Sequence, residues 1–175
     1  MRAPTNYAGP RKEDNKHERT WTQSTQTNLA QDTSTVAQVL EKKGSGVYTI
    51  SEDDTVAQAI DVLKEKRIGA VVVLSAASKL VGILSERDVV RRLADQPEDL
   101  LSRKVSLLMS SDVKVCAPQD SLISVLSTMT NGRFRHLPVM HNGALAGIVT
   151  IGDVVNYRLR ELEHQTVQLK QMIVG

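Results

Sequence analysis

The sequence repeats itself about 65 residues on, and that limits the fold more than any other feature. Gly82-Ile83-Leu84-Ser85-Glu86-Arg87-Asp88-Val89-Val90 returns as Gly147-Ile148-Val149-Thr150-Ile151-Gly152-Asp153-Val154-Val155. Gly82 and Gly147, Ser85 and Thr150, and Asp88 and Asp153 are each 65 residues apart. Upstream, Val47 to Val73 matches Val113 to Val139 at an offset of 66, so the first hairpin loop is one residue longer. A period of this size means duplication of a supersecondary unit. One such unit is too small for a large core, but two packed together can bury one. The prediction is an α/β (α+β) fold of two pseudo-symmetric βαββα repeats packed sheet to sheet, with a C-terminal helical extension.

The same pattern divides the chain. Residues 1–32 are polar and irregular, with little to bury beyond Trp21, and are expected to be a disordered arm. The first repeat is placed at 33–94, a polar linker with Pro97 at 95–102, the second repeat at 103–159, and an amphipathic helix at 160–175. In the first repeat, Ser34 is expected to cap a helix carrying Val36, Val39 and Leu40, ended by Gly44 and Gly46. Val47–Ile50 reads as a strand. Asp53, Asp54 or Thr55 caps a helix with Val56, Ala59, Ile60 and Leu63 on one face. The runs Ala70–Leu74 and Leu80–Leu84 then form a hairpin. In the second repeat, Val105, Leu108 and Met109 take the place of the first helix and Val113–Cys116 that of the first strand. A helix starting at Asp120 or Ser121 and a hairpin turning at Asn142-Gly143 follow. Past the repeat, Val155, Leu159, Leu162, Val167, Leu169, Met172 and Ile173 form an apolar set that needs a partner surface. A homodimer contact and a fold-back onto the module both answer that need.

Composition excludes several classes. A formal charge of +2 without a basic stripe gives no reason to expect nucleic acid. One cysteine, Cys116, allows neither an internal disulfide nor a metal cluster. No apolar run reaches membrane-spanning length, and a soluble cytoplasmic protein is the expectation. No nucleophile–base–acid set or pair of catalytic carboxylates can be picked out, so the chain reads as a non-enzyme.

Each repeated corner sets a hydroxyl three residues before an acid: Ser85 with Asp88, Thr150 with Asp153. The arrangement is a helix N-cap with an acid at the third helical position. A carboxylate there can also accept both hydrogen bonds of a ribose cis-diol, while the hydroxyl and the helical amides face a phosphate.

The pattern of apolar strand, Thr/Ser-x-x-Asp and apolar helix, with Arg135-His136-Leu137-Pro138-Val139 on an upstream strand, resembles the CBS domain. The resemblance covers both halves, about residues 35 to 159, and so a tandem CBS pair, or Bateman module. It implies a regulatory sensor that binds adenosine-containing ligands (AMP, ADP, ATP, NAD(H) or S-adenosylmethionine) in clefts between the repeats and controls a partner protein yet to be identified. The other reading is a structural or interaction protein with vestigial clefts. By the resemblance, one cleft combines Ser85 and Asp88 with Val113, Lys114, Val115 and Leu137. The other combines Thr150 and Asp153 with Val47, Thr49, Ile68, Gly69 and Ala70. The two Asp residues would hold ribose, and the apolar and backbone groups would frame adenine. Arg87, Arg135 and His136 would meet phosphate, which gives the Asp88 cleft more positive charge. Gly69 and Ala70 would leave the Asp153 cleft room for a bulkier, less charged group.

Overall fold

The structure, a computed structural model, describes residues 34–95 and 98–174. The arm expected over 1–32, with Trp21, lies outside the described residues, as do Gln96 and Pro97 of the linker.

The first repeat opens with helix α1 (Val36–Lys43). Its cap is Thr35, one residue later than expected: the Thr35 amide donates to Gln38 Oε1 at 2.8 Å. The Ser34 hydroxyl instead donates to the Glu161 carboxylate at 3.0 Å. Strand β1 (Thr49–Ser51) follows, then helix α2 (Val56–Lys66), capped by Thr55 in a reciprocal bond pair with Gln58. Strands β2 (Ala70–Leu74) and β3 (Leu80–Ser85) form the hairpin, and helix α3 (Glu86–Asp95) closes the repeat. β1 lies parallel to β2, and β3 antiparallel to it. Every residue of β2 from Ala70 to Val73 is buried, as its unbroken β-branched run requires.

The second repeat has helix α4 (Leu122–Gly132), the hairpin β4 (His136–His141) and β5 (Ala144–Thr150), and helix α5 (Ile151–Val174). Ser121 caps α4. Asn142 and Gly143 both have positive φ, which the two-residue turn of this hairpin requires. The expected counterpart of β1 shrinks to a single bridge, Cys116 beside Val139. The reason is Pro138. Its equivalent, Val72, donates its amide to Tyr48 O at 3.2 Å. Proline has no amide hydrogen to give Lys114, so that rung of the ladder is lost. The expected helix at Val105–Met109 is only a 3₁₀ turn, Val105–Leu107.

Two hydrophobic cores result, and each is completed by the segment that leads into the other repeat. Val36 and Val39 of α1 pack with Leu122, Val125, Met129, Leu137, Val139, Val149 and Val154 of the second repeat. Leu100 of the linker and Val105 and Leu108 at the start of the second repeat pack with Ile50, Val56, Ala59, Leu63, Val71, Val73 and Leu84 of the first. Backbone bonds fasten both crossings: Val36 N to Asp120 O at 3.0 Å and Val105 N to Asp54 O at 2.8 Å. The repeated glycines belong to this exchange. Gly82 faces the Met109 side chain and Gly147 faces Leu40; a Cβ at Gly147 would lie 2.8 Å from Leu40 Cδ2. Each glycine lets the leading segment lie close against the strand. At the centre of the molecule the two hairpins meet, where a Cβ at Gly69 would be 3.2 Å from His136 Cε1.

α5 runs unbroken for 24 residues. Leu159, Leu162, Val167, Leu169 and Met172 are all exposed. The tail is therefore not folded back to cover its apolar residues on its own module.

Candidate functional site

Both corners have the reciprocal capping geometry their spacing implies. The Ser85 amide and hydroxyl donate to Asp88 Oδ2 at 3.0 and 2.6 Å, and the Asp88 amide returns a bond to Ser85 Oγ at 3.4 Å. The Thr150 amide and hydroxyl both donate to Asp153 Oδ2 at 2.8 Å, with Asp153 N donating to Thr150 Oγ1 at 3.1 Å. The next helical amides are also used: Glu86 N donates to Gly69 O and Ile151 N to Arg135 O, each at 3.1 Å. The cap thus locks each carboxylate through one oxygen. At Asp88 the other oxygen, Oδ1, accepts no hydrogen bond from the described residues, and the carboxylate lines an open cavity.

That cavity has a volume of about 690 Å³ and lies between the two repeats. From the first repeat come Ser85, Arg87, Asp88 and Arg91. From the second come Asp112, Val113, Lys114 and Arg133 to His136. Seven of the expected residues are thus brought together: Ser85, Arg87, Asp88, Val113, Lys114, Arg135 and His136. Gly69 and Ala70 join them at the inner end, beside His136. The family resemblance had assigned those two to the Asp153 cleft. They reach the Asp88 cavity because β2 runs through the centre of the molecule, against the His136 ring. Val115 is on the surface, 46% exposed, and Leu137 is buried in the second core; neither side chain lines the cavity.

Two cationic residues were not singled out for the site. Arg91 follows Arg87 by one helical turn, the spacing that puts both on one face of α3. Arg133 caps α4 in the left-handed conformation, φ 56°, where its carbonyl accepts from Arg87 Nη1 at 3.4 Å. Arg67 holds the same left-handed position at the end of α2, φ 53°. Arg133 is at the cavity as well. Five cationic side chains (Arg87, Arg91, Lys114, Arg133, Arg135) against Glu86, Asp88 and Asp112 make the lining net positive. Burial lowers the His136 pKa from 6.5, assisted by Lys43 and Arg135 and opposed by Asp153 and Glu86. The surroundings favour the neutral ring.

The Asp153 side is different. Its cavity is about 210 Å³, lined by α1 and α5 through Val39, Lys42, Lys43, Asp153, Asn156, Tyr157 and Arg160. Thr150 holds Asp153 from behind, but Val47, Thr49, Ile68, Gly69 and Ala70 do not line this space. Lys43 Nζ meets Asp153 Oδ2 at 2.5 Å. Burial pushes the Asp153 carboxyl up, but hydrogen bonds from Lys43 and Thr150 and the Lys43 charge outweigh it and hold the pKa below 3.8. The thiol of Cys116, 5% exposed, is pushed up to about 12 by burial and by Asp120. It carries no thiolate at neutral pH and has the character of a packed hydrophobe.

The family model of the CBS domain matches the chain twice, over residues 33–95 and 104–160. The chain belongs to the CBS-domain family. A CBS-domain-containing protein of Agrobacterium tumefaciens is 40% identical, with a TM-score of 0.70 over 72% of this chain and 94% of that one. The CBS domain-containing protein CBSX3, mitochondrial, of Arabidopsis thaliana is 30% identical over 152 residues, 82% of this chain and 74% of that protein. An inosine-5'-monophosphate dehydrogenase of Methanocaldococcus jannaschii is 36% identical over 114 residues, 64% of this chain but 22% of the enzyme. The CBS domain pair of protein MJ0100, solved with 5'-methylthioadenosine and S-adenosyl-L-methionine, shares the fold at a TM-score of 0.65 and 20% identity, over 73% of this chain and 98% of that one. CBS pairs are regulatory modules. Among the described residues, no helix of this CBS pair is long and apolar enough to cross a membrane.

Proposed function

We propose that this CBS pair is a non-catalytic sensor that binds an adenosine-containing ligand in the Asp88 cavity and controls a partner protein through it. One observation carries the reading: a net-positive cavity of about 690 Å³ between the repeats, with the spare oxygen of a fixed carboxylate inside it. Asp88 would accept the ribose diol. Ala70 and Val113 offer apolar contact to adenine. Arg87, Arg91, Arg133, Arg135 and Lys114 draw a phosphate chain, and charge-assisted bonds from arginine favour two or three phosphates over one. ATP or ADP is therefore preferred over AMP, and NAD(H) over S-adenosylmethionine, whose sulfonium is cationic. The MJ0100 pair, which carries adenosine compounds on the same fold, supports the class of ligand. A ligand bridging both repeats would bias their relative position, and that bias is what a partner would read.

Thermal unfolding with AMP, ADP, ATP, NADH and S-adenosylmethionine tests this. A ligand held only by the folded state at 100 times its Kd adds about 2.7 kcal/mol, or roughly 5–10 °C in a chain of this size. ATP is expected to give the largest rise and Asp88→Ala to abolish it. No rise with any of the five, or an unchanged rise in Asp88→Ala, overturns the reading.

A further inference from the structure

The two clefts of a duplicated module start out equivalent, yet here one is open and in the other the Asp153 carboxylate is already paired with a lysine of the same chain. We infer that Lys43 is a tethered cation occupying the Asp153 cleft in place of a ligand, so that this CBS pair takes a single adenosine ligand, at Asp88. The inference rests on the function proposed above and adds its stoichiometry and its control.

The symmetry of the crossings identifies the device. Thr35 bridges Ser121, and Thr55 bridges Lys104. Thr55 and Ser121 are equivalent caps, so Thr35 and Lys104 are equivalent too. The same alignment pairs Leu40 with Met109, and these two do face the equivalent glycines Gly147 and Gly82. Carried three residues further, it pairs Lys43 with Asp112. The charge is reversed at this one position. Lys43 closes on Asp153 at 2.5 Å. Asp112, bearing the same sign as Asp88, lines the open cavity and pairs with Lys114 at 3.1 Å.

The backbone differs in the same sense. α1 stays helical to Lys43 and carries its last turn over Asp153. The equivalent segment leaves its 3₁₀ turn at Leu107 and pairs with β3 instead, Ile83 N to Ser110 O at 3.1 Å and Ser110 N to Ile83 O at 2.9 Å. The end of α1 has a second anchor, the Lys42 ammonium over the Tyr157 ring at 4.4 Å. The Lys43 and Asp153 side chains are only 29% and 23% exposed, which limits solvent screening of the pair. A ribose diol would have to displace a cation that is never diluted, because it is on the same chain.

Calorimetric titration with ATP and with AMP, on the full chain and three variants, tests the inference. Wild type is expected to bind one equivalent and Asp88→Ala none. Lys43→Ala is expected to bind two, and Lys43→Ala/Asp88→Ala one. Two equivalents on wild type, or one on Lys43→Ala, overturns the inference. So does loss of a site in Lys43→Ala, which would make Lys43 a phosphate ligand rather than an obstruction. A ligand-independent readout separates this from failure of the proposed function: the carboxyl carbon of Asp153, followed by NMR against pH. It is expected to titrate below 3.8 in wild type and to shift upward in Lys43→Met. If no variant binds either probe, the ligand reading of both clefts falls, whatever the Asp153 titration shows. If Asp153 titrates alike in wild type and Lys43→Met, the Lys43 contact is absent and the obstruction falls by itself.

Discussion

His136 is a residue whose protonation the surrounding geometry bears on directly. It sits between the clefts, against Gly69, within reach of the charges of Lys43, Asp153, Glu86 and Arg135. Its folded pKa lies below the unfolded value of 6.5, chiefly through burial. Between those two values the unfolded chain holds the extra proton, so stability rises with pH there. The contribution is complete above 6.5 and is lost as the pH falls to the folded value. The His136 ring proton signals are expected to titrate below pH 6.5 in the free protein, and His136→Asn to flatten the stability slope in that window. ATP, bringing phosphate charge to the cavity, is expected to move the titration upward. An unchanged midpoint with saturating ATP places the phosphates away from His136. Residue-scale features were partly open to sequence reasoning. Ser85, Asp88, Thr150 and Asp153 announce themselves because a cap needs those residue types at that spacing. Lys43 does not, because nothing local marks a lysine that pairs with a carboxylate 110 positions away.

At the scale of elements, α5 carries a row of exposed apolar residues beyond its packed first turns. Val155, Leu159, Leu162, Thr166 and Leu169 follow each other at alternating intervals of four and three. That is the spacing a coiled-coil seam uses. The four apolar members are exposed, and the Thr166 hydroxyl is already satisfied by Leu162 O at 2.8 Å, which suits it to an apolar seam. We propose that two copies pair along this seam. Light scattering is expected to give twice the 19.2 kDa chain mass for wild type and a single chain for Leu162→Asp/Leu169→Asp. A wild-type monomer at micromolar concentration removes the seam as a dimer contact. Elements were well read where periodicity and caps agree, as in α2, α4 and both hairpins. The counterpart of β1 was misjudged because Val113–Cys116 looks like a strand by itself. Whether it pairs depends on the amide of the residue opposite, and Pro138 has none.

For the whole molecule, the exchanged segments make the repeats one thermodynamic unit. Val36 of the first repeat is buried in the core of the second, and Leu100 of the linker in the core of the first. Leu100→Ala is expected to cost about 2–5 kcal/mol and Val36→Ala somewhat less. Either is expected to lower protection across both repeats together in urea-dependent hydrogen exchange. If Val36→Ala loosened the first repeat alone, the crossing of α1 would be wrong. The pairing of two repeats could be read from the sequence, because the duplicated corner and the short linker demand it. The crossing could not. Val36, Val39 and Leu40 have the same apolar spacing whichever core receives them, and the choice is made only by the bonds to Pro118, Asp120 and Ser34–Leu122 that form on assembly.

That crossing also has a consequence for the order in which the chain can fold. α1 is made early, but the core that receives it is complete only when Val149 and Val154 have been synthesised. The first repeat must likewise wait for Leu100, Val105 and Leu108. Contacts of such sequence separation form late and slow the search. During synthesis Val36 and Val39 therefore stay uncovered by their core for most of the chain's emergence, which exposes them to other nascent chains.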